Sequence, residues 1–347
     1  MLKRIIFLMI VLLVVFGCAK KSTEWNENHV LSLDAQIPTI GNPLDLDASG
    51  NHVYIADDQG ALAVVDLSDN SGENFFNLPT ADGSPIDLTQ VKRVSAVPAM
   101  NLLFINDIGT FGGSDLIRVF DIANPDSIKQ IDYFTGATSS MQDMKFNQIL
   151  PTGGAFTYEG VFIGGGEVKY GKYGIHDPEY PLHFAATQTI TPTITPKGAC
   201  MTNDYYFVAT QQRGLMVYAR SNEVNAAFVS ECDLPGEAQK VVLAGNYAYV
   251  ACRQAGLQIV DITNPAAPVK VGSYDTTGYA SNLDVSGNYV AVSSGAGGVY
   301  LFDVTSPQNP VLKDNITSCG YVNDVKFHQG KLLVAGRDLG LLVYKIK

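Results

Sequence analysis

A pattern of short apolar runs separated by turn residues recurs every 42 residues and constrains the fold more than any other feature of the chain. Its clearest copies begin with Gly-Asn-Tyr at residues 245–247 and 287–289, and each continues into an apolar run that ends in aspartate. A repeat of this length, with a turn at the end of every run, is typical of one four-stranded blade of a β-propeller. The pattern therefore predicts an all-β fold of antiparallel sheets arranged around a central channel.

Each repeat is predicted to contain four antiparallel strands, named a to d from the channel outwards. Gly-Asn forms the tight hairpin between strands a and b, and an Asn-Pro or Ser-Pro turn ends strand c. We identify seven units, which centre on residues 43–78, 88–134, 139–190, 195–234, 236–275, 278–317 and 320–346. The third unit is degenerate, so a six-bladed ring is the alternative if it is only an insertion.

The seventh unit has no strand d of its own. Residues 29–33 alternate between polar and apolar side chains ahead of the first unit. We expect this segment to complete the seventh blade, because joining the two ends of the chain in one sheet removes exposed strand edges.

Residues 1–17 have the features of an export signal. Lys3 and Arg4 precede an apolar stretch at 5–16, which is shorter than the roughly 20 residues of a membrane-spanning helix. The stretch ends in Gly17-Cys18, which resembles the lipobox of bacterial lipoproteins. This resemblance implies that Cys18 is lipidated and anchors the protein to the bacterial membrane, on the periplasmic or cell-surface side of an outer membrane. An ordinary secretory signal or a short membrane anchor is the alternative.

These features divide the chain into a signal peptide at 1–17, a tether at 18–27 and one propeller domain at 28–347. Without the signal peptide, 21 basic residues stand against 34 acidic ones, a net charge of −13. Nucleic acid and anionic lipid surfaces are therefore unsuitable partners. We expect a monomer that meets the membrane only through its lipid.

Four further cysteines lie in the propeller domain and lack the C-x-x-C spacing of a zinc site; they are Cys200, Cys232, Cys252 and Cys319. Sequence alone does not determine a pairing among four cysteines. We favour buried thiols over disulfides, although disulfides form readily in exported proteins.

The repeats resemble the LVIVD-repeat family of bacterial and archaeal surface propellers. The similarity rests on LQIVD at 257–261, LAVVD at 62–66 and the Gly-Asn-Tyr openings. It implies a propeller on an exported protein and carries over no catalytic residue. WD40 and quinoprotein propellers have a tryptophan in each blade, whereas the one tryptophan of this chain, Trp25, lies in the tether.

No hydrolase, metalloprotease, P-loop or EF-hand motif is present, so the sequence favours a non-catalytic protein over an enzyme. Strand a lines the channel of a propeller, and its polar positions predict a ring of mixed charge. The ring comprises Asp45, Arg93, Asp143, Lys240, Asn282 and Asp324. The acids and bases either pair structurally or form a polar-ligand site. Calcium is a further possibility, although it requires six to eight oxygen ligands and basic residues interrupt the ring.

The face that carries the b–c and d–a connections is the second candidate surface. Two b–c connections are predicted to be enlarged loops, at residues 108–115 and 164–173. Long loops in compact domains are often functional, and exposed tyrosines are favourable interface residues. The predicted contact residues are Phe111, Tyr170, Tyr173, Tyr279 and Tyr321, and the alternative is that these aromatic side chains only pack the loops onto the blades.

The sequence therefore predicts a binding or scaffold module of the bacterial cell envelope. Its recognition surface is expected over blades 2 and 3 and at the channel mouth. The alternatives are a metal-dependent hydrolase resembling propeller lactonases, with acids at the mouth, and a purely structural envelope protein.

Overall fold

A computed structural model of the chain describes residues 29–108, 115–135, 140–148, 156–174, 183–192, 194–220 and 226–347. Within these ranges the strands form seven four-stranded antiparallel sheets and one two-stranded hairpin. Two short 3₁₀ turns, Pro98–Met100 and Pro125–Ser127, interrupt the second blade. None of the helices described is long and apolar enough to cross a membrane.

The seven sheets are the predicted blades, and six of them take consecutive strands a to d. The strands of these six blades are Asp45–Ser49, His52–Ala56, Leu62–Asp66 and Ser71–Phe75 in blade 1; Val91–Val97, Leu102–Ile108, Asp115–Asp121 and Lys129–Thr135 in blade 2; Met141–Gln148, Phe156–Gly164, Glu167–Gly174 and His183–Ile190 in blade 3; Pro196–Met201, Tyr205–Thr210, Gly214–Ala219 and Ala227–Cys232 in blade 4; Lys240–Ala244, Tyr247–Ala251, Leu257–Asp261 and Val269–Tyr274 in blade 5; and Asn282–Ser286, Tyr289–Ser293, Val299–Asp303 and Val311–Ile316 in blade 6. The six-bladed alternative is wrong, because the degenerate third unit forms a complete sheet.

The N-terminal strand closes the ring, as predicted. Blade 7 contains Val322–His328, Lys331–Gly336 and Gly340–Ile346, and Leu31–Ile37 pairs antiparallel with the last of these as strand d. Asp314, on the outer strand of blade 6, accepts hydrogen bonds from the backbone N–H of Leu31 and from the His29 ring. The carboxylate thus fixes the start of the closing strand to the neighbouring blade.

The core lies between blades, because successive side chains of a strand point to opposite faces of the sheet. In blade 1, Val53 and Ile55 are fully buried against Leu333 of blade 7. Tyr54, between them, is buried on the opposite face, against blade 2. Both faces of the middle strands are therefore apolar, which explains the uninterrupted hydrophobic runs of the repeat.

One predicted loop is a strand instead. Residues 164–173 were expected to form an enlarged b–c connection of blade 3, but Glu167–Gly174 is strand c and only Gly165 and Gly166 form the turn. Both glycines have positive φ, 59° and 82°, which glycine adopts without the steric cost that other residues incur. The glycine triplet therefore indicated a tight hairpin, and the tyrosines that follow it belong to the sheet.

The b–c turns join neighbouring blades at the same point in three repeats. Arg253 exchanges two backbone hydrogen bonds with Ala280 at the start of the next inner strand. Asp58 makes the same pair of bonds with Val91, and Gly295 accepts one from Val322. All three turn residues have positive φ, of 53°, 30° and 53° for Asp58, Arg253 and Gly295. The turn is thus a repeated inter-blade connection as well as a reversal of the chain.

The inner strands are joined by a second repeated contact, here called the inter-blade latch. Each inner strand is the edge of its sheet, so its outward N–H groups need a partner from elsewhere. A polar side chain of one inner strand accepts a hydrogen bond from a backbone N–H of the next inner strand. The described residues include five latches, Asp45 to Val94 (3.0 Å), Asp47 to Ala96 (3.0 Å), Ser95 to Phe146 (3.3 Å), Asp284 to Phe327 (2.8 Å) and Asp324 to Leu46 (2.9 Å).

Removing one latch should destabilise the ring measurably. Asp284→Ala leaves the N–H of Phe327 without its acceptor, and we expect a loss of about 1–3 kcal/mol in the free energy of unfolding. Asp284→Asn keeps an oxygen acceptor and should retain most of the stability. Chemical denaturation followed by circular dichroism measures both variants, and equal losses in the two would refute the latch.

Candidate functional site

The polar side chains of the inner strands surround two cavities along the channel. The upper end is defined as the face of the b–c and d–a connections, where each inner strand begins. The upper cavity has a volume of about 230 Å³ and the lower one about 120 Å³. Asp45, Lys240 and Asn282 line both, so these residues form the layer between the cavities.

All six residues of the predicted ring lie on inner strands and line the channel. Lys240 of blade 5 reaches Asp143 of blade 3, with 2.7 Å between Nζ and Oδ1. The intervening position on blade 4 is Gly198, where a Cβ would lie 2.7 Å from the carbonyl oxygen of Gln239. Blade 4 therefore contributes no side chain at this level, and the lysine passes over the glycine.

The lower layer is also paired. Asp47 forms ion pairs with Lys326, at 2.9 Å, and with Lys145, at 3.8 Å. Burial opposes ionisation of Asp47, but the two ammonium groups and the latch from Ala96 hold its pKa well below the usual range. The carboxylate and the two ammonium groups of the lower layer are therefore paired with one another.

Asp324 behaves in the opposite way. Burial raises the pKa of this carboxyl well above its usual range, and the nearby Asp45 raises it further through charge repulsion and a side-chain hydrogen bond. Two carboxyl groups in one buried site are stabilised when one of them keeps its proton. The pair thus adds less negative charge to the floor of the upper cavity than its two acids suggest.

An extra residue precedes the ring position at the start of the inner strands. The pairing of strands a and b shifts at Lys92, Gln142, Lys197 and Asn323, in blades 2, 3, 4 and 7. A bulge places two residues opposite one and re-aims the side chain of the extra residue. Gln142, Lys197 and Asn323 line the upper cavity, as do the equivalent residues of blades 1, 5 and 6, which are Leu44, Gln239 and Ser281.

The walls of the upper cavity differ in charge. On one side, Arg93 donates hydrogen bonds to the carbonyl oxygens of Gln142 and Lys92, and Lys197 donates to the Gln142 side chain at 3.4 Å. Neither cation has a carboxylate within ion-pair distance in the described part of the chain. On the other side, Ser281, Asn282, Asn323 and Tyr321 provide hydroxyl and amide groups.

The two tyrosines predicted at the starts of inner strands lie at the upper end. Tyr321 lines the upper cavity, and the guanidinium carbon of Arg337 lies 3.8 Å from its ring centroid. Tyr279 is 49% exposed on the rim, under Arg253 at 5.1 Å. Both rings are therefore covered on one face by a cation.

Of the three contact residues predicted over blades 2 and 3, the structure describes the side chain of Tyr170 alone. Tyr170 is buried, and its hydroxyl donates to Glu159 while Arg220 covers its ring. Its assignment as an exposed contact is wrong, because it lies within strand c and packs against blade 4. Tyr173 lies on the same strand with its side chain outside the described part, and Phe111 lies outside the described residues altogether.

The described residues contain no cluster of three or more His, Cys, Asp or Glu side chains able to hold a metal ion. The four cysteines of the propeller are free thiols. Cys200 lines the lower cavity and donates to the carbonyl oxygen of Val241. Burial raises the pKa of Cys200 to about 11, so its thiolate is scarce at neutral pH.

Comparison with known proteins supports the fold and the repeat. A sequence model of the LVIVD repeat matches residues 40–76, 235–276 and 277–318, so these three segments are LVIVD repeats. No curated protein is significantly similar to the chain.

Solved structures show similar folds at low identity. Raptor from Chaetomium thermophilum superposes with a TM-score of 0.67 at 15% identity, over 92% of this chain and 29% of Raptor, so this chain spans less than a third of that protein. The Cps50 (Swd1) β-propeller domain of Myceliophteria thermophila gives 0.66 at 10% identity, over 91% and 100%. The computationally designed protein Ika8 gives 0.57 at 12% identity, over 90% and 98%.

The matched repeats are blades 1, 5 and 6, which contain residues 40–76, 235–276 and 277–318. In these blades too, two residues face one at the mouth: the N–H groups of Leu44, Gln239 and Ser281 donate to Ala56, Ala251 and Ser293, the partners of the ring residues. The arrangement at the mouth is therefore common to matched and unmatched blades. Sequence reasoning missed it, because nothing in a pair of residues such as Gln239-Lys240 marks the extra one.

Two channel acids should respond oppositely to pH. A carboxyl with a raised pKa contributes stability below its unfolded pKa of about 3.9 and loses that contribution as the pH rises. We therefore expect Asp324→Asn to match the parent protein near pH 4 and to become relatively more stable towards neutral pH. Asp47 has a lowered pKa, so Asp47→Asn should lose stability relative to the parent as the pH rises from acid to neutral.

Denaturation curves across this pH range test both variants. The difference from the parent isolates the substituted group, since the other titrating groups are common to both proteins. Parallel stability profiles for the parent and Asp324→Asn would refute the shared proton.

Proposed function

We propose that the protein is a non-catalytic binding module of the bacterial cell envelope and that the upper cavity is its recognition site. The observation that carries the proposal is the polar lining of this cavity. All seven blades contribute to it from the start of their inner strands, and its polar side chains include Arg93, Gln142, Lys197, Gln239, Ser281 and Asn323. A concave site with several convergent polar groups is the usual form of a small-molecule site.

The upper cavity also differs from the lower one in its unsatisfied groups. Lys145 and Lys326 in the lower layer are paired with Asp47, whereas Arg93 and Lys197 have no carboxylate partner among the residues described. Cations that line a cavity without a carboxylate partner favour the binding of a polar ligand. The upper cavity thus has cations that are available to a ligand, whereas the charged groups of the lower layer stabilise one another.

A hydrolase is less well supported. The acids at the mouth do not form a three-ligand metal cluster within the described ranges, and Asp143 and Asp47 are neutralised by lysines. Asp45 and Asp324 already serve as latches between blades. We therefore assign these acids to the support of the site.

A ligand screen with two matched variants tests the site. The panel comprises amino acids, organic acids, sugars and sugar phosphates, and binding is detected as a rise in melting temperature. Gln239→Trp fills the upper cavity and should abolish the rise. Asn288→Trp adds the same ring on an exposed turn at the lower face and should retain it.

The bound compound should be recovered unchanged if the protein is non-catalytic. A panel in which no compound raises the melting temperature of the parent would contradict the proposed site. A rise in melting temperature that persists in Gln239→Trp would show that the compound binds elsewhere on the protein.

The envelope location rests on the apolar stretch at 5–16 and Cys18, which lie outside the described residues. In a bacterial host, Cys18→Ala should lose incorporation of an alkyne-tagged fatty acid and should leave the membrane fraction. Lys20→Ala, in the tether, is the matched control and should behave as the parent. Equal labelling of Cys18→Ala and the parent would exclude lipidation at this residue.

A further inference from the structure

Asp143 is a ring acid that does not act as a latch. Asp45 and Asp324, at the same level of the ring, each accept a backbone N–H from the following blade. Asp143 instead directs Oδ1 to the Lys240 ammonium, 2.7 Å away, and to its own neighbouring amide, Met144 N–H. Its side chain is free of the structural task that its counterparts perform.

The second oxygen of Asp143 is left without a partner. Oδ2 is buried and accepts no hydrogen bond from the described residues, while the residue as a whole is only 5% exposed. A buried carboxylate oxygen without a donor is energetically unfavourable and calls for an explanation when it occurs in a native structure. Asp143 lines the upper cavity, so a rotation of its carboxylate would bring this oxygen to a donor group on a ligand there.

The opposite requirement exists at the ring position of blade 2, in the same cavity. Arg93 uses Nε and Nη1 for the carbonyl oxygens of Gln142 and Lys92, at 2.6 and 2.7 Å, which leaves Nη2 without a protein acceptor among the residues described. These two bonds fix the guanidinium in place. A planar guanidinium that is held in position and retains free N–H groups suits a carboxylate or a phosphate.

Lys197 provides a second cation beside the first. Its only hydrogen bond in the described structure is a long one, 3.4 Å, to the Gln142 side chain. Arg93 and Lys197 come from blades 2 and 4, and both contact Gln142 of blade 3 between them. The two positive groups therefore meet at Gln142, next to Asp143 in the chain.

We infer that the upper cavity binds a small molecule that carries a carboxylate or phosphate together with a hydrogen-bond donor. The anionic group lies between Arg93 and Lys197, and the hydroxyl or ammonium group points down to Asp143. This inference rests on the proposed function and specifies its ligand class. The volume of about 230 Å³ is below the roughly 300–1,000 Å³ of pockets for drug-sized ligands, which restricts the ligand to a small metabolite.

Two sets of three compounds separate the requirements. Lactate carries a carboxylate and a hydroxyl, propionate only the carboxylate, and propane-1,2-diol only hydroxyls. Glycerol 3-phosphate, inorganic phosphate and glycerol repeat the comparison with a phosphate. Calorimetric titration at constant ionic strength measures the binding of each compound. We expect lactate or glycerol 3-phosphate to bind most tightly, and the matching propionate or inorganic phosphate to bind about tenfold more weakly. The uncharged compounds should not bind.

Lysine variants at two levels of the channel test the anion position. Lys197→Gln should weaken binding of the preferred anion about tenfold. Lys145→Gln is the matched control, since it makes the same change in the lower layer, and its dissociation constant should stay within about twofold of the parent value. Equal effects of the two substitutions would overturn the assignment of Lys197.

Asp143→Asn tests the donor position without relying on stability. The new amide can turn its NH₂ group into the cavity, where it no longer favours a hydrogen-bond donor on the ligand. The dissociation constant of propionate divided by that of lactate should therefore fall from about ten to near one. This ratio is measured on the folded variant and is independent of any loss in melting temperature from the broken Lys240 pair. An unchanged ratio would exclude Asp143 as the acceptor.

The outcomes separate this inference from the proposed function. Uncharged compounds that bind as tightly as the anions would overturn the inference and leave the binding site in place. The same holds if none of the six compounds binds while a sugar or another member of the wider panel does. Failure of the whole panel would overturn both.

Discussion

The hydrogen bonds between neighbouring inner strands are the contacts on which the rest of the structure depends. A propeller blade ends at the channel in a strand whose outer edge has no partner in its own sheet. In this protein the missing acceptors come from the preceding blade, as when Asp324 accepts the N–H of Leu46 and Asp45 accepts that of Val94. The ring is therefore held at its centre by side chains, and the channel acids exist first to satisfy the backbone.

This requirement explains the charge pattern of the channel. Several carboxylates brought together in a buried space repel one another unless cations or protons neutralise them. Lys326 neutralises Asp47, Lys240 neutralises Asp143, and burial beside Asp45 raises the pKa of Asp324, which favours its neutral form. The lysines that interrupt the predicted acidic ring are thus the counterpart of the latches, and the same lysines make a calcium site unfavourable there.

Much of this architecture could be predicted from the sequence, because the repeat specifies it locally. The 42-residue spacing, the Gly-Asn hairpins and the alternation of the inner strands predicted seven blades, the closing strand and the six channel-lining residues. The prediction of an enlarged loop at 164–173 was wrong, because a glycine triplet followed by tyrosines fits a loop and a hairpin equally well. Only the pairing between strands decides between the two. Tyr170 could not be placed for the same reason, since its burial depends on Arg220 and Glu159, which come from other strands.

The extra residue at the start of the inner strands was beyond sequence reasoning, and it connects the scaffold to its site. It occurs in matched and unmatched blades alike, for example at Gln239 and at Lys197. The residues after it keep their register, so blades 2 and 7 retain their latches through Ser95 and Asp324. The mouth can therefore carry polar groups such as Lys197 and Gln142 without loss of the contacts that hold the ring, and Asp143, which forms no latch, follows directly after one of them.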